Sequence, residues 1–131
     1  GRANVLCASL WGMRPVALQP KGTVFTFVDL GPRLVTVTHH DAIIGPYHRN
    51  GQQIADVMNA FRGSADQAHQ LIAKYRSDYL LTCPKSSTTT IFMSEAPKGF
   101  YGQLERGQVP NWLQRVTLPK DSPFKMWKVV A

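Results

Sequence analysis

The sequence predicts an α/β domain of three layers, with a mostly parallel sheet and a β-hairpin at its C-terminal end. Three observations lead there. Short β-branched and aromatic runs bounded by Gly and Pro alternate with segments of helical period. That strand–helix–strand rhythm favours parallel pairing with helices packed on the sheet faces. Two further strand-like runs flank Pro119-Lys120-Asp121-Ser122-Pro123, a turn composition. The 131 residues fit one domain, 1–131, and no repeat or linker divides them.

In chain order, Asn4 to Met13 reads as a helix. Val5, Leu6, Leu10 and Met13 share a face, Asn4 is the cap, Cys7 lies within it and Pro15 limits it. Pro20-Lys21-Gly22 is a turn, and Thr23 to Val28 is a buried strand closed by Asp29 and Gly31-Pro32. Arg33 to Thr38 reads as a short helix or a strand, and Pro32, which suits a first helical position, favours the helix. Ala42-Ile43-Ile44 is a second buried strand between His39-His40-Asp41 and Gly45-Pro46, and Tyr47 to Gly51 is a loop.

Two helices follow. Ile54, Val57, Met58 and Phe61 keep the i, i+3, i+4, i+7 spacing up to Gly63. Ser64-Ala65-Asp66-Gln67 has capping-box form ahead of Ala68, Leu71, Ile72 and Tyr75. Asp78 to Cys83 is the third strand, stopped by Pro84. Lys85 to Thr90 reads as a loop, Ile91 to Ala96 and Phe100 to Arg106 as short helices, and Trp112 to Leu118 and Phe124 to Val130 as the hairpin strands.

Composition narrows the function classes. The apolar fraction is 44%, which argues against intrinsic disorder. The apolar runs stop well short of the roughly 20 residues that a membrane-spanning helix needs. Gly1 to Val5 shows neither a signal-peptide pattern nor an initiator methionine, as an excised piece or cloning remnant would. The net charge of +7 favours anionic neighbours, yet the Lys and Arg residues are scattered, unlike the dense stripe of most nucleic-acid binders. Two cysteines without a Cys-x-x-Cys exclude a thioredoxin-type motif and the usual zinc pairs. Cys7 and Cys83 are open to either reading at this point, a long-loop disulfide or two buried thiols.

The densest polar cluster is His39-His40-Asp41 with Tyr47-His48-Arg49-Asn50. Imidazole and carboxylate suit zinc. Strand neighbours such as His39 and His40 would point to opposite faces, however, and no His-x-x-x-His is present. The other reading is a polar stretch and an ordered loop bonding its own backbone. Asp29 is the best placed carboxylate, since strand C-termini line the ligand crevice of α/β sheets, and Tyr47 to Asn50 would share that edge. Asp29 can equally be a turn former. Ser9, Ser86 and Ser87 lack a Gly-x-Ser-x-Gly setting, and Asp29-Leu30-Gly31-Pro32 matches neither a dinucleotide fingerprint nor a P-loop. Trp11, Trp112 and Trp127 read as core residues by default.

Several stretches together resemble a known protein family. They are Phe27 to Pro32, Thr38-His39-His40, Gly45 to Asn50, Ser77 to Pro84, Leu104 to Leu113 and Ser122 to Val129. This succession resembles the C-terminal extramembrane domain of bacterial multi-pass, glycosyltransferase-like membrane proteins. These use lipid-linked sugars and are related in plan to oligosaccharyltransferases and to mannosyl- or aminoarabinose transferases. The resemblance implies a periplasmic, non-catalytic domain at the bacterial inner membrane that packs on the membrane-embedded part of its own protein and helps bind a lipid-linked sugar or acceptor. It implies no metal, cofactor or nucleic-acid partner for this domain. It also implies an oxidising compartment, and with it a Cys7–Cys83 disulfide. Tyr47, His48, Arg49 and Asn50, with Asp29 and His40 nearby, become the expected ligand or domain-contact residues. Arg49 would meet a phosphate or carboxylate, and Tyr47 would stack on a sugar. Two rival readings stand beside this one: a free-standing basic module for nucleic acid or another anionic polymer, and a small metal enzyme using His39, His40 and His48.

Overall fold

The structure, a computed structural model, describes residues 10–26, 38–42, 51–84 and 86–130. Its sheet has five strands: β1 (Thr23–Phe25), β2 (Asp41–Ala42), β3 (Tyr79–Thr82), β4 (Leu113–Val116) and β5 (Lys125–Val129), in the order β2-β1-β3-β5-β4. The first three run parallel, with Val24 opposite both Ala42 and Tyr79. On its other side β3 pairs antiparallel with β5, which pairs antiparallel with β4. The mixed α/β class, the parallel portion and the C-terminal hairpin thus stand as the sequence predicts.

Asp78 organises the start of β3. Its carboxylate accepts the Thr23 N–H at 2.9 Å, its own N–H donates to the Thr23 carbonyl, and its carbonyl accepts the Val129 N–H. One residue therefore ties β1, β3 and β5 at the same level. At the far end, the Thr26 hydroxyl donates to the Leu81 carbonyl at 2.9 Å, continuing the β1–β3 contact past the last strand residue.

Alternation along each strand sorts the sheet into two faces. Phe25 and Leu80 share one face, where the Phe25 ring lies 5.9 Å from Phe61 and 6.5 Å from Tyr75. That face is covered by α2 (Gly51–Arg62) and α3 (Ala65–Lys74). An aromatic cluster extends it: Phe61 stacks on Phe92 of α4 (Ser87–Glu95), and Phe61 and Phe92 both contact Tyr101 of α5 (Phe100–Glu105). Tyr79, Leu81 and Val24 occupy the opposite face, and Met13 and Val16 of α1 (Leu10–Ala17) are fully buried in the same hydrophobic core. Trp112 and Trp127 are core residues, as expected.

Some boundaries differ from the sequence reading. The helix α1 passes through Pro15 and continues to Ala17. A proline there removes one backbone bond, but Met13 and Val16, three residues apart, bury one face, and tertiary packing outweighs local propensity. The stretch read as a loop up to Thr90 is helical from Ser87. Ser86 is its N-cap and accepts the Thr89 N–H, while the Thr89 and Thr90 hydroxyls return to the Ser86 carbonyl. Ser64 caps α3 as its capping-box sequence predicts, accepting the Gln67 N–H at 3.1 Å. Ile54 stands 40% exposed, and Asp56 is buried beside Val57 instead. The expected Asn4 cap, the strand residues Phe27, Val28, Ile43 and Ile44, and most of the helix expected over Arg33–Thr38 lie outside the described residues.

Two turns pack with no room for a side chain. A Cβ on Gly99 would sit 2.4 Å from the Arg62 carbonyl oxygen, because the α4–α5 turn lies against the α2–α3 turn and Phe100 N–H donates to the Gly63 carbonyl. Gly99→Ala should therefore lower stability by about 1–3 kcal/mol in chemical denaturation. Gly51→Ala, whose Cβ meets nothing within 4 Å, should leave it unchanged or raise it by up to about 1 kcal/mol. Equal losses from the two substitutions would contradict this packing.

Candidate functional site at the C-terminal edge of the parallel strands

Because β1, β2 and β3 are parallel, their C-terminal ends meet at one edge of the sheet. The chain leaves that edge at Thr26, Ala42 and Cys83. Asp29 follows Thr26 by three residues, and Tyr47-His48-Arg49-Asn50 follows Ala42 after a short run. These five residues, and Cys7, lie outside the described residues. Of the predicted site, the structure describes only His40 and Cys83.

The described side chains at this edge are committed to structure. Cys83 is fully buried, and among the described residues no cysteine is a free thiol. Its carbonyl accepts from Ser86 N–H and from the Thr89 hydroxyl, each at 3.3 Å. The Ser86 and Thr89 hydroxyls lie 3.1 Å apart within the α4 cap. Below them Tyr101 donates its hydroxyl to Glu105 Oε1, and burial raises that phenol well above its ordinary value. A hydroxyl held in a cap is no nucleophile without an adjacent base. None of these groups supplies one.

His40 stands at the other end of β2, ahead of Asp41, and is buried. Its Nε2–H donates to the Val16 carbonyl at 2.7 Å, and its Nδ1 accepts the Gly22 N–H at 3.2 Å. Both ring nitrogens thus serve backbone groups. Burial lowers its pKa below 6.5. Contrary to the alternation expected of strand neighbours, the His39 and His40 rings sit 4.4 Å apart. Both residues precede β2, where strand alternation does not apply. Exposed His39 donates Nε2–H to the Gln19 carbonyl at 2.8 Å. Among the described residues no three His, Cys, Asp or Glu side chains come together as a metal site would require.

Two features escaped the sequence reading. Asp56, 4% exposed, accepts hydrogen bonds from Gln52 Nε2 and Lys74 Nζ at 2.8 Å each and from the Tyr75 hydroxyl. The bonds from Lys74 and then Tyr75 hold its carboxyl down to about 2. So thoroughly bonded a carboxylate is a clamp between α2 and α3 and a poor general base. Its one sequence signal is an acidic residue inside an otherwise apolar stripe. The second feature is an open groove of about 510 Å³ between the α2–α3 and α4–α5 turns, lined by Arg62, Ser64, Pro97, Lys98 and Gln103 among others. Arg62 is paired with Glu95 at 2.7 Å, and Gln103 donates to the Lys98 carbonyl. Its polar groups are therefore largely spent on each other, and the lining residues come from separate turns with no shared sequence motif.

No family model and no curated protein matches the chain. Among solved structures it is similar to the C-terminal globular domain of an oligosaccharyltransferase from Archaeoglobus fulgidus. The TM-score is 0.62 at 16% identity, with 91% of this chain and 92% of that one covered. At that identity the likeness is one of fold, extending over nearly the whole of both domains.

The Asp56 carboxylate gives a signed pH dependence. Its folded pKa lies below the ordinary 3.8, so its contribution is present above pH 3.8 and lost as pH falls through about 2. Asp56→Asn should cost about 1–3 kcal/mol at neutral pH. The difference between variant and parent should shrink in acid, read by denaturant titrations at several pH values. A pH-independent difference would exclude the ionised clamp.

Proposed function

We propose that the chain is the non-catalytic globular domain of a larger, membrane-bound glycosyl-transferring protein, on the periplasmic face of a bacterial inner membrane. The observation that carries this reading is the fold likeness to an oligosaccharyltransferase C-terminal domain over nine-tenths of both chains. Two features of the molecule support it. The described hydroxyls at the candidate edge are engaged in a helix cap, and Asp56 and His40 elsewhere in the body serve as clamps, as a scaffold's would. The segments carrying Asp29 and Tyr47-His48-Arg49-Asn50 both depart from the edge where α/β sheets present ligand-contacting loops.

In this reading Arg49 meets the phosphate of a lipid-linked sugar, or a carboxylate of the membrane-embedded part, through its planar fork of donors. Tyr47 stacks on a sugar ring, His48 and Asn50 supply hydrogen bonds, and Asp29 flanks them. His40 holds the α1–β1 connection at the opposite end of the parallel strands. The buried Cys83, which is not a free thiol, pairs with Cys7, the other cysteine in the chain.

In the full-length protein, Arg49→Ala should reduce sugar transfer by about 10- to 100-fold, the loss of a charge-assisted hydrogen-bond pair. Unchanged transfer, expression and substrate affinity would remove the contact role. For the disulfide, intact mass after alkylation without reductant should find no modified thiol. Reduction should lower stability by about 2–4 kcal/mol. Alkylation of both cysteines before reduction would refute the pairing.

A further inference from the structure

Three side chains hold one short connection against the sheet. His40 grips it at both ends, through the Val16 carbonyl in α1 and the Gly22 N–H before β1. Between those points His39 Nε2–H donates to the Gln19 carbonyl, and the Tyr79 hydroxyl donates to the Pro20 carbonyl at 2.7 Å. Gly22 crosses so close to β3 that a Cβ there would lie 2.8 Å from the Tyr79 ring and 2.9 Å from the Asp78 side chain. The Gly22 carbonyl also accepts the Asp41 N–H at 3.1 Å, joining the connection to β2.

Among these bonds the one from Gly22 N–H to His40 Nδ1 requires a nitrogen lone pair. The two contacts together fix the neutral imidazole with its proton on Nε2. A second proton on Nδ1 would set donor against donor at Gly22. It would also leave a positive charge on a residue 2% exposed, with the His39 ring 4.4 Å away. The surrounding groups do little to offset that. Asp41 favours the charge but is exposed, and Asp78 already accepts the Thr23 N–H. The Tyr79 ring at 5.5 Å is neutral, and Arg14 on α1 and Lys21 on the connection are exposed cations. The fold thus favours the neutral ring. Its grip is complete at and above the ordinary histidine value of 6.5 and fails as pH falls below it.

We propose that His40 is an acid-sensitive latch. Neutral, it clamps α1 and the α1–β1 connection to the sheet; doubly protonated, it frees them while the β3–β5–β4 ladder stays paired. Release loosens α1, whose Met13 and Val16 are fully buried in the core that also holds Val24, Tyr79 and Leu81. The domain would then offer an apolar surface in acid that it hides at neutral pH.

The test follows two signals by NMR on the whole chain from pH 7.5 to 5. One is the His40 ring nitrogens, and the other is amide exchange at Gly22 and Leu81, each rate divided by the intrinsic rate at that pH. The latch predicts Nε2–H with a bare Nδ1 at neutral pH. It predicts at least a tenfold loss of Gly22 protection that tracks ring protonation, while Leu81 protection is retained. Protection lost at both amides together, or Gly22 protection unchanged across this range, would overturn it. His40→Gln keeps a donor for Val16 without a titrating ring, so its Gly22 protection should no longer depend on pH. A pH-dependent loss persisting in that variant would also overturn the latch. If the variant does not fold, the two wild-type curves decide alone.

Discussion

The molecule depends on one strand being buried on both faces and paired on both sides. All four residues of β3, Tyr79 to Thr82, are buried. β1 pairs with it in parallel and β5 pairs with it antiparallel. A strand so placed must be short and mostly apolar, since each polar group it carries needs a partner inside the protein. Tyr79 meets that demand through the Pro20 carbonyl. The Thr82 hydroxyl and the Trp127 N–H find no hydrogen-bond partner, and each such group costs about 1–3 kcal/mol. The aromatic packing of Phe25, Phe61, Phe92, Phe100 and Tyr101 on one face offsets that cost.

The change of direction at β3 also divides the labour of the sheet. On the parallel side, every strand must return by a crossover, so the intervening segments all leave from one edge. On the antiparallel side β4 and β5 close directly on each other and contribute no such segments. The chain therefore leaves the parallel strands at a single edge, at Thr26, Ala42 and Cys83, and Asp29 and Tyr47 to Asn50 follow the first two in sequence. The titratable groups within the described body do other work: Asp56 clamps two helices, Tyr101 bonds Glu105, and His40 holds the α1–β1 connection. A scaffold of this kind suits the proposed role as a non-catalytic domain, in which specificity resides in the loops and the body positions them.

Much of this was legible because it is local. The Ser64 capping box, the β-branched run at Thr23 and the two runs around Pro119 to Pro123 each carry their signal within a few residues. What was illegible is long-range. Nothing in the hairpin sequence says that β5, rather than β4, lies against β3. The helix from Ser87 was hidden by three threonines of low helix propensity, of which Thr89 and Thr90 return their hydroxyls to the Ser86 carbonyl instead of opposing the helix. Pro15 pointed to a helix end that the burial of Met13 and Val16 overrides. His40 looked like a ligand residue because its partners are backbone atoms 18 and 24 residues away, which leave no pattern in sequence. The candidate contact residues rest on residue type, on the family resemblance and on the edge that their strands define, and all but His40 lie outside the described residues.

The central claim is that this edge faces the rest of a larger protein. Photoreactive residues introduced one at a time at position 48 and at position 21 of the full-length protein, in its native membrane, test it most directly. These positions follow β2 and precede β1, and so belong to segments at opposite ends of the parallel strands. The account predicts crosslinks from position 48 to the membrane-embedded part or its lipid-linked substrate, and few or none from position 21. Crosslinks from position 21 alone would contradict it.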